Sequence, residues 1–292
     1  MTPEEVMREV RRLELTTRNL VRDLVAGDYT SAFRGRGVEF SEVREYQPGD
    51  DVRTIDWNVT ARLGAAHVKR FQEERELSVF LAVDLSASGH FGSRRRTKRE
   101  LGIEVCAVLA LAAARSNDRI GALFFTDRIE HFVPSAKGRR HALRLVNDLL
   151  AFEPAGQGTD LNRALEYLEP LLHRRSVLFV VSDFLTEASS PVLNRLAARH
   201  DVIAVQVSDP RERELPPGLL TLRDPETGRQ VTVDSRDPRL RRHFQAQLRA
   251  AESRWERELE HRGVDRLRLE TDASYGDRLV AFFRRRERRR AS

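Results

Sequence analysis

Five oxygen-bearing side chains hold the chemistry that this sequence supports best. In Asp84-Leu85-Ser86-Ala87-Ser88-Gly89 the residues Asp84, Ser86 and Ser88 alternate, so an extended backbone aims all three oxygens to one side. Asp183 follows a short apolar run that ends in Val181-Ser182. Thr159 lies in the loop Gly156-Gln157-Gly158-Thr159-Asp160, where a helical pattern begins. Two carboxylates and three hydroxyls form an all-oxygen donor set. Such a set suits a hard divalent cation, Mg²⁺ first, which takes about six ligands at roughly 2.0–2.1 Å and keeps some waters. Mn²⁺ or Ca²⁺ are alternative occupants. Each piece also has a plainer explanation. Asp84 and its serines suit an Asx or Ser turn, Thr159 and Asp160 suit a helix N-cap, and Asp183 suits an ordinary loop. What favours the cation is the conjunction: all three pieces occur in order, each at a strand end or a helix start.

These positions need a frame. Residues 77–83 are almost continuously apolar, as expected of a parallel strand covered on both faces. A long apolar helix is expected over 99–115, strands over 120–125 and 129–133, and helices over 139–151 and 160–172. A buried strand over 177–181, a helix near 191–198 and a strand over 202–207 come next. A hairpin is expected at 219–222 and 230–233, around Pro225-Glu226-Thr227-Gly228, then a charged helix over 238–262, a strand over 267–269 and a final helix from Tyr275. This alternation predicts an α/β fold, a doubly wound, mostly parallel sheet flanked by helices. Such sheets bind ligands outside the carboxyl ends of their strands, where the five residues fall. The N-terminus differs. Thr2-Pro3-Glu4-Glu5 opens a helix with Val6, Val10, Leu13, Leu20 and Leu24 on one stripe and Gly27 as its stop, and residues 31–76 form an irregular, β-leaning stretch. The expected division is 1–76 as helix plus β-rich extension and 77–292 as the sheet domain, with a hairpin insertion at about 210–235.

Asp-x-Ser-x-Ser, a distant Thr before a helix and a strand-terminal Asp resemble the metal-ion-dependent adhesion site of von Willebrand factor A domains. The resemblance implies that Ser86, Ser88 and Thr159 bind the ion directly, while Asp84 and Asp183 act through water or hold the serines. Few full charges then touch the ion, so it stays electrophilic, and a carboxylate from another protein can complete its shell. A second resemblance covers most of the chain. Gly35-Arg36-Gly37-Val38-Glu39-Phe40, the run Arg44-Glu45-Tyr46-Gln47-Pro48-Gly49-Asp50-Asp51-Val52-Arg53-Thr54-Ile55-Asp56-Trp57, then Ala61-Arg62, Lys69 and Phe71 to Arg75 resemble the signature of the bacterial domain-of-unknown-function-58 (DUF58) family. That family is similar to von Willebrand A domains beyond the signature. It implies a partner, a MoxR-type AAA+ ATPase that such proteins are thought to serve as adaptor or co-chaperone. Within the signature, Pro48-Gly49-Asp50-Asp51 suits a tight turn, and Arg53 and Asp56 are expected to pair beside a buried Trp57. The segment reads as a structural platform, or as a docking surface of Arg44, Asp50, Arg53, Asp56, Trp57 and Arg62.

Other functions find less support. A formal charge of +6 and a pI near 10.0 raise nucleic acid as a partner. Yet 51 basic residues face 45 acidic ones, mostly interspersed; of the two basic clusters, Arg94-Arg95-Arg96 and the arginine-rich C-terminus, the second has no aromatics interleaved with it. A solvated helix end accounts for that terminus. The haloacid-dehalogenase pattern would need a second acid where Ser86 stands, and no nucleophile elbow or phosphate-binding Gly-Lys loop is present. The histidines are scattered without zinc-ligand spacing. A Mg²⁺-dependent phosphoester hydrolase using Asp84 and Asp183 is the alternative to a non-catalytic interaction module. No stretch reaches the roughly 20 apolar residues of a membrane span. The lone Cys106 excludes an internal disulfide and fits a reducing cytoplasm.

Overall fold

The computed structural model describes residues 2–33, 38–48, 50–73, 77–93, 96–185 and 191–291. Gly35-Arg36-Gly37, Gly49 and Arg75 of the signature, and Arg94 and Arg95 of the basic cluster, lie outside the described residues. Contacts divide the chain into two compact units, residues 34–77 and residues 1–33 with 78–292.

In the larger unit, helix α1 (Pro3–Asp23) starts with a capping box, Thr2 accepting from the Glu5 amide while Glu5 reaches back. Its stripe of Val6, Val10, Leu13 and Val21 is buried, each side chain contributing about 1.5–3 kcal/mol. α1 packs on the sheet unit's helices, so it belongs with the sheet and not with the β-rich segment. Gly27 does not stop it. The helix widens into a π-helical turn, Leu24–Asp28, and continues as α2 (Tyr29–Phe33). Buried Tyr29 and Phe33 set their rings edge-on to Phe283, which outweighs one glycine's low helix propensity. The smaller unit holds strands β1 (Val38–Glu45) and β2 (His67–Glu73), paired antiparallel, and between them helix α3 (Trp57–Leu63), which Gly64 ends at φ +75°.

Then follow β3 (Ser78–Asp84), α4 (Lys98–Arg115), β4 (Arg119–Phe125), β5 (Ile129–Lys137), α5 (Arg139–Ala151), α6 (Leu161–Leu168), β6 (Val177–Ser182), α7 (Pro191–Arg199), β7 (Asp201–Ser208), the hairpin β8 (Leu219–Arg223) and β9 (Gln230–Asp234), α8 (Pro238–His261), β10 (Asp265–Glu270) and α9 (Tyr275–Ala291). The six-stranded sheet runs β10-β7-β6-β3-β4-β5, all parallel except β5, which lies antiparallel on the β4 edge and contains Pro134. One face packs Phe80, Ala82, Leu123 and Val180 against α6, α7 and α8 through Leu165, Leu193 and Trp255. On the other, α4 is apolar on nearly all sides because α1 and α5 cover what the sheet does not. The chain leaves β3 toward β4, returns across it to β6, and so makes its topological switch between the ends of β3 and β6.

Candidate metal centre

Asp84 ends β3 and Asp183 follows β6, so the switch point brings together two of the expected acids. Asp84 holds the loop after its own strand and the neighbouring strand at once: Oδ1 accepts from the Ser86 amide at 2.9 Å and Oδ2 from the Ser182 hydroxyl at 2.6 Å. Ser86 Oγ lies 3.1 Å from Ser88 Oγ, and Ser88 Oγ donates to Asp183 Oδ2 at 2.7 Å. Both serines and Asp183 are buried. Burial, with Asp183 adding repulsion, pushes the Asp84 carboxyl up to about 6 against the lowering hydrogen bonds from Ser182 and Ser86. Phe184 turns the chain away from Asp183 with φ +54°, a conformation uncommon for a bulky residue. Its ring is fixed edge-on to Trp255 at 5.1 Å, which holds that turn in place.

The Thr159 loop stands beside these residues, since Gln157 O accepts from the Ala87 amide at 2.9 Å. Its base is clamped by Glu130, which accepts from the Ala155 and Gly156 amides at 3.2 and 2.7 Å and from the Thr126 hydroxyl at 2.6 Å. Gly156 is required there, because a Cβ would lie 2.2 Å from Thr126 Oγ1 and 2.0 Å from Asp127 Oδ1. Asp160 caps α6 through the Arg163 amide. The Thr159 hydroxyl is not joined to the serines and aspartates by a hydrogen bond and donates to Glu226 Oε1 at 2.9 Å.

The donor chemistry therefore fits a hard cation. Asp84, Ser86, Ser88 and Asp183 are joined by one chain of hydrogen bonds and line a cavity of about 20 Å³, roughly the room for one small ion or water. No cluster of three His, Cys, Asp or Glu side chains suited to a metal occurs among the described residues, so a cation here would need the hydroxyls as well. One feature works against an ion. Lys98, 1% exposed at the start of α4, donates to Asp183 Oδ2 at 2.7 Å and also to Glu212 at 2.5 Å. Burial opposes its charge, but Asp183 and Glu212 outweigh that and hold its pKa above the ordinary value.

The family model described as "Protein of unknown function DUF58" matches residues 42–254, a span that contains all five candidate ligands. The chain belongs to the DUF58 family. Uncharacterized proteins of Mycobacterium tuberculosis and Mycobacterium bovis are each 36% identical to it over 283 residues, covering 96% of this chain and 89% of theirs. Among solved structures it resembles an aerotolerance-related membrane protein from Bacteroides fragilis with multiple mutations to serines, with TM-score 0.51 and 13% identity over 73% of this chain and 99% of that one. It also resembles the conserved hypothetical protein BatB from Bacteroides thetaiotaomicron, with TM-score 0.48 and 15% identity over the same shares. The fold of this DUF58 protein is a doubly wound, mostly parallel sheet flanked by helices, and no helix among the described residues is long and apolar enough to cross a membrane.

Sequence reasoning missed Lys98, Glu212, Ser182 and Glu226. A faint signal pointed to Lys98, one of only three lysines in a chain whose other strong bases are arginines. Of the expected docking residues of the smaller unit, Arg44, Asp50 and Asp56 have local structural partners, whereas Arg53, Trp57 and Arg62 are exposed. Arg44 grips Asp50 with two bonds of 2.8 and 2.6 Å, which with the Gln47 amide holds the Asp50 carboxyl below its usual range. Asp56 caps α3 through the Asn58 and Val59 amides. Trp57 is 70% exposed, not buried, because it opens a short helix that buries no residue. The arginine-rich C-terminus is not simply solvated. Arg286 is buried between Asp201 and Asp265, each 2.6 Å away, with its guanidinium over the Phe33 and Phe282 rings.

Proposed function

We propose that this chain is a non-catalytic, metal-dependent protein–protein interaction module that grips an acidic residue of a partner through a divalent cation, Mg²⁺ in the first instance. One observation carries the reading: Ser88 donates to an aspartate 95 positions away while touching Ser86, so residues from two strand ends line one small cavity. Ser86, Ser88 and Thr159 would hold the ion. Asp84 and Asp183 would orient the serines and balance charge, roles that their present hydrogen bonds already fit. When bound, the ion supplies an electrophilic position for a partner's carboxylate. The family resemblance suggests a MoxR-type AAA+ ATPase or its client as that partner, with the chain acting as adaptor or co-chaperone in the cytoplasm. The alternative is a phosphoester hydrolase in which Asp84 and Asp183 hold Mg²⁺, and Mg²⁺-dependent turnover lost in Asp84→Ala would favour it.

The test is calorimetric titration of the full chain with Mg²⁺ and with Mn²⁺, alongside co-purification of the ATPase with and without chelator. Wild type should bind one ion, Ser86→Ala and Asp183→Ala should each lose at least tenfold in affinity, and chelator should release the partner. Unchanged ion binding in both variants would overturn the proposal.

A further inference from the structure

The β8–β9 hairpin projects from the sheet unit with its residues exposed, save for a few that turn inward. Residues 221–225 and 227–232 are exposed, whereas Glu226 at the tip is half-buried. The tip is stiff. Asp224 accepts from the amides of Glu226 and Thr227 at 2.9 and 3.4 Å, an Asx turn, and Gly228 closes it with φ +72° and a 2.9 Å bond to Asp224 O. A built turn on an exposed hairpin therefore aims one acid inward, and its target is the Thr159 hydroxyl.

That hydroxyl is the one candidate ligand not bonded within the Asp84–Ser86–Ser88–Asp183 chain. A threonine that donates its proton to a carboxylate keeps its lone pairs for a cation. The contact with Glu226 thus leaves Thr159 able to ligate and puts a carboxylate on the loop that the Ala87 amide joins to the two serines. Glu226 Oε2 also approaches Gly158, lying 3.7 Å from where a Cβ would stand. Glu226 and Asp183 also lie close enough to influence each other's charge. Burial raises the Glu226 carboxyl above its usual range, Asp183 and Asp224 add repulsion, and Thr159 and Lys98 partly offset both.

We infer that Glu226 is an internal ligand of the candidate cation site, occupying in cis the coordination position that a partner's carboxylate would take. The inference rests on the metal-dependent reading above and adds its regulation: a partner must displace the hairpin tip. A carboxylate on a β-hairpin is a close chemical copy of an acidic residue on another protein. The two compete for one place, and an isolated chain keeps its own acid there.

Mn²⁺ tests this with the full chain, because its bound waters are read directly by water-proton relaxation. Wild type, Glu226→Ala, Glu226→Gln and Ser86→Ala are titrated with Mn²⁺ alone, then with acetate as a free carboxylate. Removing Glu226 should weaken Mn²⁺ binding by about tenfold and raise the relaxation enhancement by about one exchangeable water. Acetate should reverse that rise in Glu226→Ala and leave wild type unaffected. Glu226→Gln, which keeps an acceptor for Thr159 but loses the charge, should fall between. If Mn²⁺ binds wild type and is lost in Ser86→Ala, but Glu226→Ala matches wild type in affinity and enhancement, Glu226 is not a ligand and the site stands without it. If neither wild type nor Glu226→Ala binds Mn²⁺, the metal-dependent reading fails and this inference falls with it.

Discussion

Lys98→Met is the sharpest test of the site's charge balance. The ammonium is 1% exposed and lies 2.7 Å from an Asp183 oxygen that also accepts from Ser88. A divalent ion held by Ser86 and Ser88 would stand about one carboxylate's width away, on the order of 5 Å. At an effective dielectric of about 20, charges of +1 and +2 at that distance repel by roughly 7 kcal/mol. Glu212 can take the ammonium and relieve part of this, but the other acids keep it near. Two opposite effects follow. Without an ion, removing Lys98 leaves Asp183 uncompensated, and breaking a buried pair costs about 3–5 kcal/mol of stability. With an ion, the repulsion is gone, and affinity should rise at least tenfold, about 1.4 kcal/mol or more. Urea unfolding with and without Mn²⁺ reads both. Lys98→Met should be much weaker than wild type in chelator and should gain more from added ion, by the ordinary linkage between ligand binding and folding. A variant that binds Mn²⁺ no more tightly than wild type would refute the opposition between Lys98 and the cation.

Two further outcomes follow from the same geometry. Gly156→Ala forces a methyl against Thr126 Oγ1 and Asp127, so stability should fall by about 1–3 kcal/mol in thermal unfolding and Mn²⁺ affinity should drop as the Thr159 loop shifts; a variant like wild type in both would show that the loop is not clamped. Arg286→Ala leaves half-buried Asp201 and Asp265 without their shared cation and should cost about 1.5–3 kcal/mol by urea unfolding, an unusual loss for one arginine of a basic tail; a loss under about 0.5 kcal/mol would return that tail to the solvent.

Most of the sheet unit was legible because its signals are local. The unbroken apolar run of β3 and the helix-length apolar run of α4 need no knowledge of their neighbours, and α5 falls at residues 139–151 as its periodicity predicts. Asp84, Ser86 and Ser88 do come together, but through a 3-10 turn, Ala87–His90, rather than along the extended loop that their alternation suggested. Thr159 was only half legible. Its loop stands where expected, but the hydroxyl's partner comes from a hairpin 67 residues away, and no pattern in either segment announces the other. Lys98 was hidden for the same reason, since a lysine opening a helix reads as solvent-exposed until Asp183 and Glu212 arrive from other strands. Gly27 misled because a π-helical turn has no sequence marker, and Arg286 because a run of like charges conceals which member turns inward.

The sheet's two margins have a consequence for assembly. β5 bears Pro134, which cannot donate to a further strand, and two irregularities of register that bend it out of a flat ladder. β10 carries Arg266 and Arg268, engaged with Glu256 and Glu252, so charge guards the opposite margin. Neither side invites another chain to add a strand, and a fold so guarded can crowd against its own copies without zipping into them.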